Sequence, residues 1–242
     1  MERPILFSGP MVRAILDGRK TQTRRIVKSS IADFHTMDFM HLENDGSPEI
    51  AWFESGRVQE WVKCPYGSVG DRLWVREAWC HAADDDDRMK YNADGNLDSS
   101  CCHYRADGYE VRHVDGAETK GGLPKSPWVP SIHMPRCASR ITLEITGIRV
   151  ERLNAISEED ALSEGISFKC FDANCNVIRH AVWPKEPTLS DRANAKDTFR
   201  ELWESINGPG SWSANPWVWV IEFKRLHPDN LTARADSPTL DA

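Results

Sequence analysis

A chain of 242 residues that is 40% apolar is long enough for one large domain with a real core, and its mean hydropathy of -0.53 leaves much of the length for surface and loops. The formal charge of -7 excludes a molecule whose whole surface attracts a polyanion, and no apolar run approaches the ~18 residues of a membrane-spanning helix. Seven cysteines, an odd number, point to reduced thiols, and the opening Met1-Glu2-Arg3-Pro4 has no apolar leader stretch, so a cytoplasmic protein is expected.

Pro4 to Phe7 reads as a short strand. Ser8-Gly9-Pro10 then opens a helix, with Ser8 as its cap and a proline in its first turn. Met11, Ala14 and Ile15 share one helical face, and Gly18 suits the left-handed position just past a helix end. The segment that follows from it is Gly18-Arg19-Lys20-Thr21-Gln22-Thr23-Arg24-Arg25. It lies in a stretch, residues 1–28, with seven cations against Glu2 and Asp17, a local +5 on an otherwise acidic chain. One basic patch on an acidic body suits a local anionic ligand better than a long duplex.

Residues 28–66 have little periodicity and read as an insertion or loose hairpin region, with a strand over Val58 to Val62. Gly67-Ser68-Val69-Gly70-Asp71 is a turn signal leading into a strand from Arg72 to Trp79. Alternation puts Leu73, Val75, Glu77 and Trp79 on one face and Arg72, Trp74, Arg76 and Ala78 on the other. Residues 80–130 form a second, polar insertion that includes the acidic run Asp84 to Asp87. Arg140 to Thr146 alternates as a strand, and Gly147 turns or bulges it into Ile148 to Leu153.

Ser157 to Gly165 carries the signals of a short helix: a serine cap, Asp160 at the third position to complete a capping box, and a terminal glycine. A longer helix is expected over about Ser190 to Ile206, with Phe199, Leu202, Trp203 and Ile206 as its apolar stripe, ended by Asn207-Gly208-Pro209-Gly210. Trp217 to Phe223 is apolar on both faces up to Glu222, as expected of a central strand, and residues 228–242 read as a disordered tail. Short strands around a few short helices predict an α+β fold: a small mixed barrel with short flanking helices and two long loop insertions.

Four constellations offer chemistry. Lys20 and Thr23 are three apart, so in a regular strand they face opposite ways and meet only if the backbone bends. A threonine hydroxyl needs a base, and lysine serves as one only where burial or a neighbouring cation lowers its pKa; Arg19, Arg24 and Arg25 supply such charge. The alternative is a solvated basic turn. Glu164 precedes a helix-ending glycine, where a carboxylate opposes the helix dipole and either sits exposed or is held by something else. Glu77, on an apolar strand face, is an interior partner for an arginine or a ligand acceptor. Trp128 to Arg136 mixes Ser131, His133 and Arg136 with prolines and an aromatic, a composition that suits an unstacked base or an ordered loop on the barrel. Trp74, Trp128 and Trp212 are further stacking candidates. Neither Cys170 with Cys175 and His180 nor Cys101-Cys102-His103 has a usual zinc spacing, so no metal and no cofactor is expected.

Gly18-Arg19-Lys20-Thr21-x-Thr23-x-Arg25 resembles the signature of the ASCH domain, a relative of the PUA RNA-binding barrel. The Gly70-Asp71-x-Leu73-x-Val75 strand, the Ile156 to Gly165 helix and the Val218 to Phe223 strand fall where that family has them. Pro4 to Met11, Pro130 to Arg136 and Asn215 to Trp219 resemble its phage and prophage branch, which implies a host cytoplasm. The resemblance implies a single PUA-like domain over residues 1–227, with insertions at about 28–66 and 80–130. One subfamily hydrolyses N(4)-acetylcytidine with a lysine, a threonine and a glutamate that fall here on Lys20, Thr23 and Glu164. The resemblance then implies that Thr23 attacks the amide carbonyl, Lys20 takes its proton, and Glu164 transfers or orients a proton. Arg19, Thr21, Arg24, Arg25, Glu77, Ser131, His133 and Arg136 are the expected ligand-binding residues. The expected partner is a nucleoside or single-stranded nucleic acid, RNA before DNA. A non-catalytic reader of such nucleic acid and a single-strand ribonuclease are the other readings.

Overall fold

A computed structural model describes residues 1–28, 49–54, 57–81, 102–108, 128–171, 178–182 and 194–227. Asp84 to Asp87, Cys101, Cys175 and the 228–242 segment lie outside them.

The chain is α+β, built on one mixed five-stranded sheet. In chain order its strands are β1 (Glu2–Leu6), β2 (Gln22–Ile26), β5 (Arg72–Arg76), β8 (Thr142–Arg152) and β11 (Trp217–Arg225), in spatial order β1-β5-β8-β11-β2. Only β1 and β5 are parallel; the other pairs are antiparallel. Three two-stranded ribbons accompany it: β3 (Glu49–Glu54) with β4 (Arg57–Lys63), β6 (Trp79–His81) with β7 (Cys102–Tyr104), and β9 (Ser167–Phe171) with β10 (Ile178–Val182). The first of these is the hairpin expected within residues 28–66, and its second strand contains Val58 to Val62.

Alternation separates two cores across the sheet. Ile5, Leu73, Val75, Ile145, Val150, Trp219 and Ile221 face one cluster, which α1 (Gly9–Leu16) covers with Val12 and Ile15. Val218 and Val220, on the other face of β11, meet α2 (Glu158–Ser163) and α3 (Ala195–Asn207) through Ala161, Phe199, Leu202 and Trp203. β11 is thus buried on both faces, which explains its unbroken apolar run. No ladder joins the edge strands β1 and β2 among the described residues. Arg25 Nη2 instead donates across them to the Leu6 carbonyl at 2.6 Å. No described helix is long and apolar enough to cross a membrane.

Several elements differ from expectation. Ser8 stands at the cap of α1 but its side chain makes no capping hydrogen bond; Pro10 in the first turn has no N–H to donate one. The strand predicted from Arg72 to Trp79 stops at Arg76, and Trp79 begins a separate strand that leaves the main sheet to pair with β7. Of the turn or bulge expected at Gly147, the structure has the bulge: β8 runs on as one strand, with Thr146 bulged between the pairs Glu222–Gly147 and Phe223–Ile145. α3 starts at Ala195, capped by the Asn194 side chain on the Lys196 and Asp197 amides, and Ile206 drops out of its stripe at 56% exposed.

Candidate active site

The site lies where β2 meets the end of α2. α2 has six residues, too few to persist alone, so its ends need partners. At the N-terminus Ser157 and Asp160 form the expected reciprocal capping box, with Ser157 Oγ accepting from the Asp160 amide at 3.0 Å. At the C-terminus the partners come from the basic motif. Gly18, at φ +72°, turns the chain back after α1. Lys20 then bridges Glu164 in antiparallel fashion, and the Thr21 amide donates to Ser163 O at 2.9 Å. Arg19 Nη1 takes the Gly165 carbonyl at 2.8 Å. Lys20 Nζ takes the Glu164 carbonyl at 2.9 Å and the Glu164 Oε2 carboxylate oxygen at 2.7 Å. The cations thereby satisfy carbonyls that a helix end leaves open.

Strand alternation distributes the rest. Gln22 and Arg24 face α2, and Arg24 sits beside Val220 of β11, with Arg149 of β8 on that residue's far side. Asp160 and Glu164, four residues apart, present their carboxylates from one face of α2. Arg24 reaches both: Nη1 to Glu164 Oε1 at 3.2 Å and Nη2 to Asp160 Oδ2 at 3.0 Å. Its Nη2 also pairs with Glu151. Arg149 continues the line to Glu151 at 3.3 Å, to Asp160 at 2.8 Å and to Glu222. The result alternates in charge from the buried Lys20 to the open surface at Glu222.

Lys20, Thr23, Arg24 and Glu164 are 2%, 3%, 4% and 3% exposed. Burial pulls the Lys20 pKa below the usual lysine value; Glu164 opposes that pull, while Arg25 and Arg24 add to it. Thr23 lies on the other face of β2, with Arg25. Phe7 links the two faces: its ring centre is 5.6 Å from Lys20 Nζ and 5.3 Å from the Arg25 guanidinium. Lys20 thus reaches Glu164 directly, and no hydrogen bond joins Thr23, on the other face of β2, to either of them. Beside this pair, a polar cavity of about 320 Å³ is lined by Thr21, Gln22, Ser163, Asp160 and Glu222 among others; Lys20, Thr23 and Glu164 do not line it.

The other expected binding residues lie elsewhere. Glu77 is wholly buried and clamped by Arg140, with Nε to Oε1 at 2.9 Å and Nη2 to Oε2 at 3.1 Å, the interior pair that alternation allowed. Arg136 binds Glu2 and the Thr142 hydroxyl and lies 5.9 Å from the Trp74 ring, on the face of β5 opposite the first core. Ser131 and His133 begin and end a 3₁₀ turn beside it. Trp212 packs edge-on against Phe199 at 6.3 Å, a core contact. Sequence reasoning missed Glu151 and Arg149 as members of the network. Their signal was present: two opposite charges two apart on one face of a strand. Among the described residues no group of three or more His, Cys, Asp or Glu side chains suits a metal ion. No family model, curated protein or solved structure matches the chain.

Proposed function

We propose that this is a PUA-like domain of the ASCH type that hydrolyses the amide of a modified nucleoside such as N(4)-acetylcytidine, with Lys20, Thr23 and Glu164 as the reacting groups. The observation that carries the reading is the buried Lys20 amine, 2.7 Å from Glu164, with the buried Thr23 three residues along the same segment. In the proposed reaction Lys20 passes a proton to Glu164 and becomes the base. Thr23 Oγ1 attacks the acetyl carbonyl and gives its proton to Lys20 Nζ. The carbon–nitrogen bond breaks, the proton goes to the leaving amino group of cytidine, and the acetyl group remains on Thr23 as an ester. Water then hydrolyses the ester to acetate and restores the hydroxyl.

A neutral amide suits this site better than a phosphodiester. Arg19, Arg24 and Arg25, the cations expected to hold an anion, are engaged within the protein by Gly165 and Asp17, by three carboxylates, and by Leu6 and Phe7. A second reading, a single-stranded RNA reader, draws on a different observation: the Arg76 guanidinium lies 4.7 Å from the Trp74 ring, with Arg136 nearby. Such a surface would bind RNA in a salt-sensitive way without turnover.

The test is to incubate the protein with N(4)-acetylcytidine and resolve cytidine from substrate by chromatography. The expected outcome is turnover that falls by about 100-fold or more in Lys20→Ala and Thr23→Ala. Turnover unaffected by both substitutions, or none in the unaltered protein, rejects the reading.

A further inference from the structure

We infer that Arg24 is a positioning residue for this site: its guanidinium holds the Glu164 carboxylate so that one oxygen is committed to Arg24 and the other to Lys20. The inference rests on the hydrolase reading for its catalytic consequence but on geometry for its substance. Glu164 Oε1 accepts from Arg24 at 3.2 Å and Oε2 accepts from Lys20 at 2.7 Å, so both carboxylate oxygens are assigned and the group cannot rotate without breaking a charged hydrogen bond. Arg24 is itself fixed, its side chain inaccessible and braced by Asp160 and Glu151. The composition of the segment suits an anion, yet this arginine has carboxylates at both terminal nitrogens and a side chain with no exposed surface.

The arrangement also explains how Glu164 tolerates its position. It stands at the negative end of α2, four residues after Asp160, where two carboxylates on one face repel each other. Arg24 is their shared counter-ion. The line of charge beyond it is no proton wire, because a guanidinium does not deprotonate in proteins. Proton exchange is therefore confined to Lys20 and Glu164, and Arg24 sets the field in which it occurs. Around the pair stand Asp160 from α2, Arg24 and Arg25 from β2, Arg149 and Glu151 from β8, and Glu222 from β11. Removing Arg24 takes away a positive neighbour of Lys20 and uncovers Asp160 and Glu151. Both changes favour the ammonium form.

The test uses the full chain labelled with ¹⁵N-lysine, in which the Lys20 side-chain resonance is assigned by its absence from Lys20→Met and titrated. In Arg24→Gln the Lys20 midpoint is expected to rise by about one pH unit. Arg24→Lys keeps the charge but cannot bridge both sides, so its midpoint stays near that of the unaltered protein while kcat on N(4)-acetylcytidine falls about tenfold at constant KM. A midpoint unmoved by Arg24→Gln, or an Arg24→Lys protein with full kcat, overturns the inference. Should Arg24→Gln fail to fold, Arg24→Lys decides it alone through kcat. A shifted midpoint in a protein without turnover supports the positioning role and rejects the hydrolase reading, so the two failures are told apart.

Discussion

The protein buries a glutamate in two places, Glu164 at the end of α2 and Glu77 after β5, and supplies each with a guanidinium. Around Glu77 the partner set is complete. Arg140 takes both carboxylate oxygens, binds Asp107 at 2.8 and 2.7 Å, and lies over the Tyr104 ring at 3.9 Å. Its proton cannot leave at any ordinary pH, and the cluster ties β5 to the turn after β7. Around Glu164 a lysine replaces half of that clamp. Lysine gives up a proton when desolvated and arginine does not, and that single difference separates the two buried pairs. Burial and proximity alone do not distinguish them; the identity of the cation does.

The largest expected effect follows from removing that lysine. Lys20→Met leaves the Glu164 carboxylate inside with only half its partners and the helix-end carbonyl unbonded, and should lower unfolding stability by about 4 kcal/mol in urea titration. Turnover should vanish with it. Glu77→Ala, its counterpart, should cost about 3 kcal/mol by the same measurement, since Arg140 retains Asp107 and some solvent. On the proposed hydrolase reading, the folded Glu77→Ala protein is expected to turn over N(4)-acetylcytidine at the rate of the unaltered protein. An equal loss of turnover in both would break the contrast.

The pH dependence of stability should differ in sign between the regions. Burial raises Glu77 above its ordinary 4.5, because Arg140 is shared with Asp107 and compensates incompletely. The folded state thus holds that proton longer than the unfolded chain. Its contribution is full below 4.5 and is lost as pH rises through the raised value. Asp160 behaves oppositely. Burial works against its ionisation, but Arg24, Gln22, the Ser157 amide and Arg149 together hold it below its ordinary 3.8. Its contribution is present above 3.8 and is lost as pH falls through the lowered value. Denaturation curves across this range should lose the first slope in Glu77→Gln and the second in Asp160→Asn.

The smallest expected effect concerns the far end of the charge line. An added Cβ at Gly147 would lie 2.6 Å from Glu222 Oε2, the flexible tip of a partly exposed side chain. Gly147→Ala should swing that carboxylate away from Arg149 at a cost of about 0.5 kcal/mol, the scale of a partly exposed ion pair. The Lys20 midpoint should not move, because Arg24 insulates it; a shift would mean that the line conducts further than its arginines allow.

Much of this was legible in the residues. Ser157 and Asp160 form the capping box that their spacing announced, Gly165 ends that helix at φ +100°, and β11 is interior as its two apolar faces required. The strand parity of Lys20, Gln22 and Arg24 also holds, since all three reach toward α2. Less legible were the roles of the cations. A run of arginines looks the same in sequence whether it meets a phosphate or a neighbour's carboxylate.

Local chemistry therefore determined what the sequence could settle alone: turns, caps, strand periodicity and the α+β class, all of which depend on residues within a few positions of one another. Tertiary structure decided the rest, because the partners of the basic motif are distant in the chain. Lys20 meets Glu164 across 144 positions, and Arg24 meets Glu151 across 127. Only the pairing of β2 with β11, and of β11 with β8, brings those charges into one buried row, where loss of solvent makes each counter-ion matter.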